Sequence, residues 1–268
     1  MHKLLVLMIA VFLAGCVPLG ELSAEDIERV IDANSAIETY VAEGTLVTSL
    51  RMSSPWLGGE SSMTTNVTTY LEENRAQGRA YGYLESSSDL FGGLFDQKTE
   101  FYRDQDTVYI HALGTWVEQQ GYELQELLTL EDIMRLLEAG VVEVTTEGMQ
   151  HYRVDVSLDA QQVFSLFLHE EEYEDLFADE DWPTEVAYSI SLLVHRRTLY
   201  VERIDQFLSI TAEREDFHIS VITESETVFR DINRPLRIDV PEEVSGQAIR
   251  AGDFRLPSLL GAAVAEMN

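Results

Sequence analysis

The chain of 268 residues holds one cysteine, Cys16, and two lysines, Lys3 and Lys98. A single thiol excludes an internal disulfide framework and a zinc site built from several cysteines. Basic residues number 18 against 48 acidic ones, which gives a formal net charge of −30. Because such a surface repels nucleic acid and anionic lipid headgroups, we expect no nucleic-acid partner and no membrane docking through a basic patch.

Long apolar runs are scarce as well. The run from Leu4 to Leu13 is ten residues long, whereas a helix that crosses a bilayer needs about 20. It follows the basic start His2-Lys3 and precedes small residues, which is the layout of a secretory signal. The ending Leu13-Ala14-Gly15-Cys16 resembles the lipobox of bacterial and archaeal lipoproteins, in which the cysteine is diacylated and the preceding peptide is removed.

This resemblance implies a signal peptide over residues 1–15, lipidation at Cys16 and a lipidated tether over residues 16–24. The protein would then be extracytoplasmic and anchored by lipid to the cell membrane or envelope. The alternative is a conventional signal peptide followed by an idle cysteine.

The acidic residues are spread along the whole chain. This distribution favours a solvated surface, such as that of a salt-adapted organism, over a dedicated site for a cation. Halophily is therefore a hypothesis that folding measured against salt concentration can test.

Motifs that carry catalysis are missing from the sequence. His169-Glu170-Glu171-Glu172 lacks the second histidine of a zinc-protease helix, and no nucleophile elbow or phosphate-binding glycine loop occurs. The acidic stretch from Asp175 to Asp181 lacks the spacing and the glycine of a calcium loop. We therefore expect no metal, no cofactor and no enzymatic activity, although a hydrolase with an unrecognised site remains an alternative. Asn66-Val67-Thr68 matches a glycosylation sequon, which an archaeon could use if it is exposed.

Hydrophobic periodicity predicts the order of the elements. A helix begins after Ser23 and extends to Ile37, and further helices are expected over Tyr122–Glu138 and Asp159–Phe177. Alternation with period two predicts strands between them. These strands are Thr45–Ser53, Ser62–Leu71, Arg79–Ser86, Lys98–Arg103, Thr107–Leu113, Thr115–Gln119, Val141–Thr146, Gln150–Leu158, Glu185–His195, Thr198–Asp205, Phe207–Arg214 and Phe217–Phe229.

An extended closing segment is expected over Asn233–Val244, with a short tail helix over Pro257–Asn268. The pattern predicts an α+β fold in which helices cover one face of a large antiparallel sheet. Residues 25–244 would form a single domain, and residues 245–268 a C-terminal tail.

Two segments of the sequence resemble those of a known family. Thr227–Asn233 is followed by Pro235–Glu243, with an Ile-x-Val-Pro-Glu pattern, and Val108–Val117 has a tryptophan after a glycine. Together they resemble LolA-like lipoproteins, including the LppX/LprG type. The resemblance implies a strongly curved antiparallel half-barrel, with helices on its concave face and an apolar cavity between them. It also implies a carrier or binding protein rather than an enzyme.

The function expected from this resemblance is a membrane-anchored lipoprotein that binds or carries a lipid or another apolar ligand. The alternative is a structural or regulatory envelope lipoprotein with a filled core that contacts an unknown protein partner. The candidate cavity residues are the apolar positions expected to face inward from strands and helices. They are Leu46, Leu50, Met63, Val67, Val108, Ile110, Leu127, Val154, Val156, Phe164, Phe167, Ile190 and Leu192.

Overall fold

The fold is described from a computed structural model of the chain. The structure describes most of the chain between residues 24 and 250. The described ranges are 24–54, 59–89, 96–112, 114–120, 137, 141–158, 184–214 and 217–250.

Twelve strands form one sheet across the described ranges. Their bounds are β1 Thr39–Ser54, β2 Gly59–Asn74, β3 Arg79–Ser88, β4 Gln97–Asp104, β5 Thr107–Ala112, β6 Thr115–Gln120, β7 Val141–Glu147, β8 His151–Leu158, β9 Thr184–His195, β10 Val201–Arg214, β11 Phe217–Arg230 and β12 Ile249–Arg250. Helices with both ends inside the described ranges are α1 Ala24–Ser35 and α2 Glu242–Gln247, and a 3₁₀ turn lies at Arg75–Gln77.

Two runs of antiparallel neighbours meet in the middle of the sheet. The spatial order is β12-β6-β5-β4-β3-β2-β1-β11-β10-β9-β8-β7. Strands β1 to β6 follow one another as neighbours, and so do β7 to β11, while β1 pairs with β11. The two-residue strand β12 pairs with β6 in parallel. The fold is therefore dominated by a large sheet in which almost every ladder is antiparallel.

The register divides the side chains between two faces. Partners directly opposite each other in an antiparallel ladder point to the same face. Ala42, Leu71 and Phe229 are partners in this way and mark the side that we call the core face. The opposite side, which carries Tyr70 and Val47, is called the outer face.

Helix α1 closes one end of the core face. Val30 is fully buried in the main hydrophobic cluster, together with Ile37 after the helix. Asn34 is also fully buried, and its side-chain amide donates to the carbonyls of Val30 (2.7 Å) and Leu199 (2.9 Å). Its Oδ1 accepts the amide hydrogen of Val201 (2.9 Å). Every polar atom of Asn34 is thus satisfied, and the helix is fixed to the start of β10.

The segment after β11 crosses the same end of the sheet. Asn233 has φ 54°, in the left-handed region that asparagine tolerates well. Its Oδ1 accepts the amide hydrogen of Glu38 (2.8 Å), and its own amide donates to the carbonyl of Thr39 (2.8 Å). Asn74 donates to the carbonyl of Leu236 (2.8 Å). These bonds tie the segment to the beginning of β1 and the end of β2.

Two sequence predictions for the C-terminal half are wrong. The predicted strands Thr198–Asp205 and Phe207–Arg214 are one strand, β10, which begins at Val201. Gln206 continues the ladders to both β9 and β11, and residues 198–200 precede the strand. The polar pair Asp205-Gln206 resembles a turn in sequence, yet tertiary pairing keeps it extended. The closing segment also ends in a helix, because Glu242 and Glu243 occupy the first turn of α2 after Pro241.

Several predictions fall on residues that lie outside the described ranges. They are the signal peptide, Cys16 and its tether, the body of both central helices, and the tail after residue 250. Leu137, at the end of the first of these helices, is described as helical and buried in the main cluster. The packing of helices on a concave face stays a prediction.

Candidate functional site

Ten of the candidate cavity residues lie in strands, and the register places all ten on the core face. Leu46 is opposite Val67, and Leu50 is opposite Met63. The remaining six share this face through the ladders. They are Val108, Ile110, Val154, Val156, Ile190 and Leu192.

Six of the ten lie in a closed core. Val154, Val156, Ile190 and Leu192 are no more than 1% exposed and belong to the main cluster with α1. Val108 and Ile110 belong to a smaller cluster with Ala80 and Phe101, and Leu71 packs against both clusters. On this part of the core face, apolar side chains are packed against one another as in an ordinary protein interior.

The other four, Leu46, Leu50, Met63 and Val67, are only half-buried. Among the described residues, neither cluster includes them. Within the part of the chain that the structure describes, the core face is therefore tightly packed near α1 and less buried towards the opposite ends of β1 and β2. We call the less buried region the open part.

One ladder row crosses this open part from β2 to β9. It consists of Met63, Leu50, Val221, Ile210 and Val186, each directly opposite the next. All five side chains are apolar and half-buried, and we call this set the apolar row. Because neighbouring strands are about 4.8 Å apart, the row spans about 19 Å. At its β9 end the row meets the closed core, because Val186 packs against the main cluster.

Hydroxyl groups flank the apolar row. Thr48 lies opposite Thr65 and Thr223, one row nearer to α1. The Oγ1 atoms of Thr48 and Thr223 are 3.2 Å apart and share a hydrogen bond. The surface thus combines an extended apolar stripe with a few polar groups, which is the usual composition of a site for an apolar ligand.

A partly buried ion pair lies on the core face. Glu73 is 8% exposed, and its carboxylate accepts hydrogen bonds from the hydroxyl of Tyr40 and from the guanidinium of Arg103. Arg75 approaches the same carboxylate at 3.7 Å and covers the Tyr40 ring at 5.6 Å. Burial, reinforced by Glu73, holds the pKa of Tyr40 far above its ordinary value. Tyr40 therefore stays neutral and serves as a hydrogen-bond donor.

The structure brings the open candidates together but leaves the helical ones untested. Leu127, Phe164 and Phe167 lie outside the described residues, as does the lipidation residue Cys16. Three members of the apolar row, Val186, Ile210 and Val221, were not among the candidates. The signal that could have found Ile210 and Val221 is their alternation with the polar residues Ser209, Thr211 and Ser220 along β10 and β11.

A separate pocket of about 370 Å³ opens beside the closing segment. Its lining includes Thr39, Asn74, Gln77 and Leu236. None of the thirteen candidate residues lines it. This pocket is therefore distinct from the apolar row.

Other features of the described ranges bear on site chemistry. No group of three histidine, cysteine, aspartate or glutamate side chains comes together there in a way that could hold a metal ion. No helix in the same ranges is long and apolar enough to cross a membrane. Asn66 and Thr68 of the sequon are both exposed on the outer face, and glycosylation at Asn66 stays a prediction.

Comparison with known proteins gives structural neighbours only. No protein-family model matches the chain, and no curated protein matches its sequence.

LprF from Mycobacterium bovis is 11% identical with a TM-score of 0.37, and the match covers 83% of this chain and 99% of that one. A putative outer membrane lipoprotein-sorting protein domain from Vibrio parahaemolyticus is 6% identical with a TM-score of 0.25, over 79% and 93% of the two chains. A structure of lipovitellin is 8% identical with a TM-score of 0.40, over 75% of this chain and 26% of that one. The neighbours include a lipoprotein of the LppX/LprG type and a LolA-like domain, which the resemblance of the sequence predicted.

Proposed function

We propose that this protein is a membrane-anchored lipoprotein that binds or carries a lipid or another apolar ligand on the core face of its sheet. The observation that carries the proposal is the apolar row, in which five half-buried apolar side chains cross five neighbouring strands. The resemblance of the sequence to LolA-like lipoproteins led independently to the same expectation.

Binding would be passive, without chemistry on the ligand. Moving apolar surface out of water releases about 25 cal/mol per Å². An acyl chain laid along the row from Met63 to Val186 would exchange water for contact with apolar side chains. The hydroxyls of Thr48 and Thr223 lie beside the row and could receive a hydrogen bond from a polar part of the ligand.

The anchor and the binding surface would have separate roles. Diacylation of Cys16 would hold the domain at a membrane, since stable anchoring takes two lipid chains. The domain would then exchange ligand with that membrane at short range. Residues 16–24 would act as the tether and residues 25–244 as the binding domain.

A second candidate function is supported by the closed part of the core. Val154, Val156, Ile190 and Leu192 are packed without exposure, as in a structural domain. If the helices expected over residues 122–138 and 159–177 filled the open part in the same manner, the protein would be a structural or regulatory lipoprotein. Its partner would then be another protein and not a lipid.

Lipid uptake separates these two functions. Protein carrying Cys16→Ser cannot be acylated, so any lipid that it holds must be bound non-covalently. We expect native mass spectrometry to show this variant with co-purified lipid, or with lipid taken up from added vesicles. Introducing a charge into the row with Leu50→Asp should abolish this uptake, while Val47→Asp on the outer face of the same strand should leave it unchanged.

A further inference from the structure

A second surface lies on the outer face, opposite the core face. Aromatic side chains occupy successive strands there at matching register positions. Tyr70 lies opposite Tyr83, Tyr81 opposite Tyr102, and Tyr102 opposite Tyr109. We call the set the aromatic strip, and its members are Tyr70, Tyr81, Tyr83, Tyr102, Tyr109, His111 and Trp116.

The rings of the strip contact one another from β2 to β6. Tyr70 and Tyr83 are stacked with centroids 5.4 Å apart and an angle of 13° between their planes. Tyr81 and Tyr102 are 4.8 Å apart, and Tyr102 and Trp116 are 5.7 Å apart. Every ring is half-buried, so each retains part of its surface in water. A continuous aromatic platform on the face away from the core is not needed to fill the protein interior.

Carboxylates lie among these rings. The hydroxyl of Tyr70 donates to Glu72 at 2.5 Å. Burial is the main cause that raises the pKa of Tyr81, and the negative charge of Glu100 adds to it. Burial likewise raises the pKa of Tyr109, together with the negative charge of Glu118. The strip therefore combines neutral tyrosine rings with a negative electrostatic potential. Both properties attract a cation that also has an apolar body.

The chain itself supplies one example of such binding. Lys98 is one of only two lysines in the sequence. Its Nζ lies 4.6 Å from the centroid of the Tyr83 ring and bridges Glu100 (3.0 Å) and Glu85 (3.4 Å). The outer face thus already holds an ammonium group against a tyrosine ring and between two carboxylates.

We propose that the aromatic strip binds a protein partner through a segment rich in arginine or lysine. The alkyl stems of such a segment would lie on the exposed parts of the rings. The charged ends would reach Glu72, and also Glu118, whose carboxylate lies 3.7 Å from the exposed guanidinium of Arg250. The net charge of −30 would steer a cationic segment towards the protein. A second copy of this chain is disfavoured, because it would bring another strongly acidic surface.

The test is a titration of the full chain with a fluorescent decapeptide of alternating arginine and glycine, followed by anisotropy. A decapeptide of alternating aspartate and glycine is the control probe. Tyr102→Leu removes an aromatic ring from the strip, and Phe207→Leu removes one from the outer face of β10. Glu72→Gln removes a negative charge beside the aromatic strip, and Glu224→Gln removes one from the outer face of β11.

We expect the wild type to bind the arginine peptide and not the aspartate peptide. Tyr102→Leu and Glu72→Gln should each weaken binding about threefold or more, since each exposed cation–π or ionic contact has an effect of this order. Phe207→Leu and Glu224→Gln should leave the dissociation constant unchanged. Circular dichroism checks that each variant is folded. If Tyr102→Leu does not fold, the affinity of Glu72→Gln for the arginine peptide tests the proposal.

Three results would overturn the inference. They are failure of the wild type to bind the arginine peptide, equal binding of both peptides, and equal weakening by strip and control variants. The last result would mean that only the overall negative charge attracts the peptide. The aromatic strip and the apolar row lie on opposite faces of the sheet, so peptide binding at the strip and lipid binding at the row can each fail without the other.

Discussion

Leu50 on β1 lies directly opposite Met63 on β2, and both side chains remain half-buried on the face that buries the core elsewhere. On the same face, Leu192 lies opposite Val154, and both are fully buried. Within the described ranges, one face of the sheet therefore has a sealed part and a less buried part, the open part. This difference is the basis of the proposed ligand site.

Truncating a leucine should cost much less in the open part than in the sealed part. Leu192→Ala removes packed methyl groups and leaves a cavity, so we expect a loss of about 2–5 kcal/mol in the free energy of unfolding. Leu50→Ala should cost about 1 kcal/mol, because part of the side chain is already in water. Urea denaturation measures both values. Equal losses at the two positions would show that the region around Leu50 is as closed as the core.

Replacing Asn34 by alanine should destabilise the protein strongly. The substitution leaves the carbonyl of Leu199 and the amide of Val201 buried without the partner that they have in the wild type. We expect a loss of about 2–4 kcal/mol in the free energy of unfolding, since each unsatisfied buried group costs about 1–3 kcal/mol. Asn66→Ala on the exposed outer face is the matched control and should change stability by less than about 0.5 kcal/mol. A small effect of Asn34→Ala would contradict the role given to this residue.

Asn233 should tolerate glycine better than alanine. Its φ of 54° strains an alanine, whereas glycine adopts this conformation freely. Both variants lose the hydrogen bond to the amide of Glu38, so the difference between them isolates the backbone effect. We expect Asn233→Ala to be about 1 kcal/mol less stable than Asn233→Gly in thermal unfolding. An equal stability of the two variants would show that the closing segment does not need this conformation.

Stability should fall in alkaline solution. Burial raises the pKa of Tyr188, and burial together with Glu73 raises that of Tyr40. Both phenols therefore keep their protons in the folded state at a pH where the unfolded chain, with a tyrosine pKa of about 10, loses them. Their contribution to stability is present below about pH 10 and is lost progressively above it.

Tyrosinate absorbance measured against pH checks this expectation. Some of the tyrosines should ionise only when the protein unfolds, and Tyr40→Phe should reduce that late fraction. Complete ionisation of all tyrosines near pH 10 in the folded protein would contradict the buried state of Tyr40 and Tyr188.

The sequence predicts the strands well, because alternation of apolar and polar residues is a local signal. It separates the two faces correctly at Leu46 and Leu50, since both are flanked by polar or exposed positions. It missed the first residues of β1, where Tyr40, Val41 and Ala42 are all buried and no alternation appears. A strand that is buried on both faces cannot be separated from an adjoining helix by period alone.

The order of the strands and the burial of each part of the core face depend on contacts between residues that are distant in sequence. The pairing of β1 with β11 brings Leu50 next to Val221, and no local pattern reports that contact. The difference between the sealed Leu192 and the open Leu50 likewise depends on which elements pack above them. The aromatic strip also forms only when β2 to β6 are aligned in register, although each of its residues is visible in the sequence.

Native mass spectrometry of the Cys16→Ser protein mixed with phospholipid vesicles distinguishes a ligand site from a filled core. We expect a folded protein that carries non-covalently bound lipid, and a Leu50→Asp derivative that carries none. A folded Cys16→Ser protein that shows only its own mass after exposure to vesicles would contradict lipid binding at the apolar row and would favour the filled core.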